Sequence, residues 1–111
     1  MQKEKSMFSL WVTLEVTPGG REEFLAAIAE NARASVRDEE GCCRFDVIEL
    51  GDIGSNRFAF YEVYRDKDAF DNEHKRAPHY FAYRDVSARV VVPGSQVNIG
   101  GGLLNTFTWV E

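Results

Sequence analysis

The sequence has no excess of positive charge, no long apolar run and almost no cysteine. Thirteen Lys and Arg stand against eighteen Asp and Glu in 111 residues, a net charge of −5. A nucleic-acid binder needs a clustered basic surface for phosphate contacts, so that class is excluded. The longest apolar run, residues 24–29, falls far short of the ~20 residues that span a bilayer, so no membrane partner is expected. The two cysteines, Cys42 and Cys43, are adjacent. Neighbours make an awkward mutual disulfide and an incomplete zinc set. They read instead as small residues entering a strand in a reducing cytoplasm. Lys3 and Lys5 precede MFSLWV, but Thr13 and Glu15 interrupt that run and no small-residue cleavage site follows, so residues 8–16 read as mature structure.

Known chemical motifs are also missing. There is no G-x-S-x-G, no P-loop, no dinucleotide fingerprint and no H-E-x-x-H. The only histidines, His74 and His79, lie five apart across Pro78, which is not the i,i+4 pair of a helical zinc site. Neither metal nor flavin, nicotinamide or haem is expected, and any chemistry should come from side chains alone.

What is present is a globular composition, 44% hydrophobic and 28% charged, with fourteen aromatic residues. That is more rings than a minimal core needs, and some should line a pocket for a small-molecule substrate. Residues 8–16 alternate, with Phe8, Leu10, Val12, Leu14 and Val16 on one face of a strand. TPGG breaks the pattern. From Arg21 a helical period takes over, with Phe24, Leu25, Ile28, Ala32 and Val36 on one stripe and Gly41 as a stop. CRFDVIEL and RFAFYEVY read as strands of a hairpin across GDIGSN. Asp66 suits the N-cap of a second helical segment, which Pro78 breaks or restarts. The glycine-rich segment 93–102 ends in the triplet 100–102, a linker signal; VVVPGSQVNIGGG mixes strand formers with breakers, LLNTFTWV alternates, and at least one strand is expected in this tail. The order β-α-β-β-α-β predicts one ferredoxin-like α+β domain over residues 1–111, its core about 8–110, with an antiparallel sheet covered by helices on one face. The other sheet face would carry Trp11, Ile48, Ala59, Tyr61 and Val63, too apolar for water, so a homodimer with facing sheets is expected.

Alternation of the third strand places Glu62 beside Phe58, Phe60 and Tyr64, on the helix side. Burial among rings raises a carboxyl pKa, which makes a general acid or base; the alternative is a rim Glu bonded to Arg or a backbone amide. Asn31 and Ser35 sit four apart beside the apolar stripe, where their partners are backbone, water or a ligand. His74 shares a side with Phe70 and Ala77, as a structural imidazole or a partner of Glu62 at one cavity.

The runs EEGCCRFDVIE, RFAFYEVYRDKDAF and EHKRAPHYFAY resemble the antibiotic biosynthesis monooxygenase domain family over about residues 8–85. An acidic-Gly-Cys turn, a strand Phe, a third-strand Glu and His-x-x-x-Pro-His carry the resemblance. RFDV, YEVYRDKDA and HKRAPHY are most similar to its subgroup that isomerises phosphorylated autoinducer-2. The resemblance implies a dimeric α+β barrel with a pocket between sheet and helices of each protomer. It implies Glu62, His74 and His79 as catalytic residues, with His79 positioning its neighbours. Asn31 and Ser35 would hold substrate oxygens, and Phe45, Phe60 and Tyr64 would form the apolar wall. Family monooxygenases oxidise quinol-like or polyketide aromatics without metal or flavin, whereas the isomerases move protons on a small phosphorylated dione. A non-catalytic ligand-binding or stress module on the same fold is the third expectation. Ala69 to His74 is one residue longer than the family pattern, a change that in a regular helix rotates His74 away from the pocket. For a phosphate, Lys75, Arg76, Arg44 and Arg57 are the cations to consider.

Overall fold

The structure is a computed structural model that describes residues 6–107. Strand β1 (Met7–Glu15) leads through a short turn into helix α1 (Arg21–Asp38). Strands β2 (Cys42–Glu49) and β3 (Arg57–Tyr64) follow, then two helical turns, helix α2 (Pro78–Val90) and strand β4 (Val97–Leu103). The four strands form one sheet in the order β2-β3-β1-β4, and every pairing is antiparallel. This is the ferredoxin-like α+β fold, with the helices on one face as the sequence predicts.

Register follows from alternation. Leu10, Val12 and Leu14 of β1 stand opposite Glu62, Phe60 and Phe58 of β3 on the helix side. Phe24 and Ile28 of α1, with Tyr83 and Val90 of α2, close the core over them. The Phe24 ring lies 5.2 Å from Phe58 and 6.1 Å from Phe60, centroid to centroid. The inward stripe of α1 is Phe24, Ile28, Asn31 and Ser35, while Val36 of the expected stripe is 48% exposed. Two polar residues therefore hold places that an all-apolar stripe would have filled.

The hairpin end of the sheet is tied to the start of α1. Arg21 donates from Nη1 and Nη2 to the two carboxylate oxygens of Glu49 at 2.5 and 2.9 Å, and from Nη1 to Asn56 Oδ1 at 2.8 Å. Glu49 also accepts the backbone N–H groups of Gly54 and Asn56. With Arg21 as the main cause, the Glu49 carboxyl is held down at about 2.

Two departures from the sequence reading have clear causes. The glycine-rich segment is a strand and not a linker: Gly100 pairs with Leu10 in β4. A Cβ on Gly100 would sit 2.8 Å from Phe8 Cζ, so glycine lets that ring lie across the edge strand. The strand expected in the tail is β4, which lies earlier than the alternation of LLNTFTWV suggests; residues 104–107 form no strand, and residues 108–110 lie outside the described residues. The second departure is at the expected second helix. Ala69–Glu73 is a π turn, in which the His74 N–H reaches both Ala69 O and Phe70 O. His74–Arg76 is a single 3₁₀ turn, and Ala77 is extended before Pro78 opens α2. The wide turn holds one residue more than an α-helical turn would, and His74 faces inward at 2% exposure instead of rotating away.

On the outer sheet face Ala59 and Val63 are buried by their neighbours, while Ile48, Val97 and Ile99 are exposed. Among the described residues no helix is long and apolar enough to cross a membrane.

Gly41 joins α1 to β2 against Ala69, and a Cβ there would stand 2.6 Å from the buried Ala69 Cβ. Gly41→Ala should destabilise the fold by about 1–3 kcal/mol through overpacking, read as a lower urea midpoint at unchanged slope.

Candidate functional site: an acid and an imidazole on an aromatic cavity

A cavity of about 150 Å³ lies between the sheet and the helices. Its sheet wall is Leu10, Val12, Phe45, Phe60 and Glu62, and its helix wall includes Ile28, Asn31, His74, Tyr80 and Tyr83. Lys75, Arg84, Gln96 and Asn98 complete it. Five of the eight residues singled out from sequence therefore meet at one cavity: Asn31, Phe45, Phe60, Glu62 and His74.

The remaining three stand behind that wall. Tyr64 is fully buried and donates its hydroxyl to Glu62 Oε1 at 2.6 Å. Residues i and i+2 of a strand share a face, so β3 itself aligns this pair. Ser35 donates to the Asn31 carbonyl at 2.6 Å, with its oxygen 3.4 Å from His74 Nδ1. His79 contacts the Glu39 carboxylate, which is also 2.9 Å from His74 Nδ1.

Glu39 is the residue that sequence reasoning missed. It caps the C-terminus of α1 and joins both histidines through one carboxylate oxygen. The signal was present in the acidic-Gly-Cys turn, but nothing in the spacing linked that turn to the histidines 35 and 40 positions later. With His74 Nδ1 donating to Glu39, Nε2 is the ring nitrogen left to accept a proton.

Burial drives the electrostatics. It pushes the Glu62 carboxyl above its usual range; the Tyr64 hydrogen bond and the field of His74 oppose the rise without cancelling it. Burial, then the Glu62 charge, push the Tyr64 hydroxyl strongly upward, so Tyr64 is a donor and not a base. Burial also raises Glu39, but its hydrogen bonds to His74 and His79 outweigh that, and it stays below the usual carboxylate value. Among the described residues, Asn31 Oδ1 and Tyr83 OH, of two side chains on the cavity wall, are buried without a hydrogen-bond partner.

The cations divide by face. Lys75 and Arg84 line the cavity, with Lys75 Nζ 4.7 Å from the Phe70 ring centroid. Arg44 lies on the outer sheet face, 5.5 Å from the Tyr61 ring centroid and 2.7 Å from Asp46. Arg57 stands opposite Glu15 in the same register as the outer face residues of β3. Cys42 is buried and its thiol is pushed up to about 12, chiefly by burial, which makes it unreactive.

Sheet, helices and cavity define a ferredoxin-like domain with a buried acid and an imidazole on a small aromatic pocket. The family model described as antibiotic biosynthesis monooxygenase matches residues 7–86. The chain belongs to that family. It is 37% identical over 60 residues to "Putative monooxygenase Rv0793" of Mycobacterium tuberculosis, and the match spans 54% of this chain and 56% of that protein. A solved structure, "Putative antibiotic biosynthesis monooxygenase from Nitrosomonas europaea", superimposes with a TM-score of 0.80 at 28% identity, over 94% of this chain and 96% of that one. The solved structure of Rv0793 superimposes with a TM-score of 0.78 at 22% identity, over 93% and 100% of the two chains, a likeness of fold.

The raised Glu62 pKa has a signed consequence for stability. The folded state holds this proton more tightly than the unfolded chain, so the contribution is complete below the ordinary carboxylate pKa and is lost as pH rises through the folded value. Glu62→Gln removes the loss. Its stability relative to the native chain should therefore improve as pH rises from the ordinary carboxylate range through neutrality, by about 1.4 kcal/mol for each unit of upward shift. Urea titrations of both proteins across that range check it; a difference independent of pH would show that Glu62 has an ordinary pKa.

Proposed function

We propose that the chain is a cofactor-independent oxygenase of a small, electron-rich aromatic substrate, a quinol or polyketide-like ring held in the cavity. The observation that carries this reading is Glu62: a buried carboxyl of raised pKa, aligned by Tyr64, on a wall of aromatic rings. Membership of the family and the likeness to the Nitrosomonas europaea protein support it.

Glu62, in its ionised form, takes a proton from the activated ring carbon, and the resulting anion is rich enough in electrons to reduce oxygen. A carbon–oxygen bond forms, the O–O bond breaks, and the neutral Glu62 returns its proton to the departing oxygen. In the keto tautomer of a polyketide-like ring a CH₂ and O₂ become C=O and H₂O, and a quinol and O₂ become a hydroxyquinone and H₂O, so in both all four electrons come from the substrate. His74, with Nδ1 held by Glu39, accepts or relays a second proton at Nε2. Asn31 and Tyr83 bind substrate oxygens, and Phe45 and Phe60 exclude water. Ser35, Tyr64 and His79 act one step back, Ser35 beside His74 Nδ1, Tyr64 by holding Glu62 and His79 by holding Glu39.

Lys75 and Arg84 on the same wall favour a second reading, a proton-transfer isomerase of a small phosphorylated dione. There the cations hold the phosphate, and Glu62 and His74 move protons without oxygen. Oxygen uptake separates the two: consumption equimolar with product supports the oxygenase, and turnover without it supports the isomerase. Under either, Glu62→Gln should cut turnover by ~10²–10⁴-fold with the fold intact. Near-native turnover by this variant would make Glu62 structural and the site a binding pocket only.

The homodimer belongs to the same proposal. Trp11 and Tyr61, with exposed Ile48, Val97 and Ile99, make an outer face that suits a second copy. Light scattering should give twice the chain mass of 12.6 kDa at micromolar concentration, and Ile99→Lys should shift it toward that mass. A 12.6 kDa particle from the native chain would remove the dimer. Free Cys43, exposed at the start of β2, suits a reducing cytoplasm.

A further inference from the structure

Glu39, His74 and His79 bring three metal-ligating atoms within 4.8 Å of one another. They come from three elements: the C-cap of α1, the 3₁₀ turn and the first turn of α2. The cluster lies behind the cavity, since His74 lines that space and Glu39 and His79 do not. Its carboxylate is unusually placed. The Glu39 side chain is only 7% exposed, yet both imidazoles address Oε2, and among the described residues the buried Oε1 has no hydrogen-bond partner. A buried carboxylate oxygen without a donor is costly. Hydrogen bonding within the cluster leaves that cost in place, because no ring N–H reaches Oε1.

We propose that Glu39, His74 and His79 form a binding site for one divalent first-row transition ion of the zinc class. Two imidazole nitrogens and a carboxylate are the borderline donor set such an ion takes, and they leave a position open for water. The ion displaces the two ring protons that now face Oε2 and brings positive charge to the orphaned Oε1. At usual zinc bond lengths, neighbouring ligands in a tetrahedral shell stand about 3.3 Å apart. His74 Nδ1 and Glu39 Oε2 are 2.9 Å apart, so they open by only a few tenths of an ångström. His79, 12% exposed at its side chain, gives the ion a route from solvent. The five-residue spacing across Pro78 matters little, because the two rings approach from different elements and Glu39 completes the set. The ion binds His74 at Nδ1, on the edge away from the cavity, and the displaced ring proton moves to Nε2, so in the metal-bound state His74 donates at the cavity and proton acceptance rests on Glu62.

The test uses the full chain without a polyhistidine tag, stripped with a chelator and titrated with Zn²⁺ by calorimetry and with Co²⁺ by visible absorption. One ion per chain is expected, with Co²⁺ bands of nitrogen and oxygen ligation. Glu39→Gln and His79→Ala should each weaken Zn²⁺ binding by at least about tenfold, and Cys43→Ser should leave it unchanged. No saturable binding, a thiolate-to-cobalt band, or native affinity in either ligand variant would overturn the site. Should a variant fail to fold, nitrogen NMR of the native chain decides. With only two histidines in the sequence, Zn²⁺ should shift Nδ1 of one ring and Nε2 of the other. Titration that leaves both rings unmoved rejects the proposal.

Discussion

The period of two in β3 is the constraint from which the site follows. A strand that sends Phe58, Phe60 and Tyr64 into the core must send Glu62 there as well. The carboxylate cannot turn away without carrying three aromatic rings into water, each worth a few kcal/mol of burial. The fold therefore accommodates the acid in place. Tyr64 supplies a donor from the same strand face, Asn31 and Ser35 interrupt the apolar stripe of α1 nearby, and a cavity replaces the side chains that would otherwise complete the core. Apolar packing holds a polar group that hydration alone would have expelled.

A division of labour runs along α1. Its first residue, Arg21, clamps the hairpin through Glu49, and its C-cap, Glu39, gathers both histidines. Phe24 and Ile28 between them seat the helix on the sheet. One rigid element of 18 residues thus sets the distance between the hairpin end of the sheet and the histidine cluster. Side chains fixed at both ends of a helix suit a site whose groups must meet within ångströms.

Most of the fold was legible in the sequence, since periodicity carries it. The alternation of residues 8–16 and of RFAFYEVY gave both central strands and their inward faces, Glu62 included. Local composition misled where tertiary contact decides. Three glycines read as a linker, yet they are a strand because Phe8 needs the space over Gly100. Val36 fits a helical stripe on paper, but α1 is rolled so that Asn31 and Ser35 face inward. Glu39 was invisible because its partners lie 35 and 40 residues away, beyond any local pattern. Tyr83 and Arg84 were hidden in the same way, as α2 offers several polar and aromatic positions and only docking selects those that reach the cavity.

The π turn at Ala69–Glu73 bears on how such a chain tolerates a change of length. An added residue in a regular helix rotates everything after it by about 100°. Here the widening is confined to one turn of backbone, anchored before it by Asp66, which accepts the Ala69 N–H at 2.8 Å, and after it by His74. The ends stay fixed while the middle bulges toward solvent, where Asn72 is exposed. The segment works as an expansion joint, a place where extra backbone is taken up while the inward His74 keeps its seat on the cavity wall.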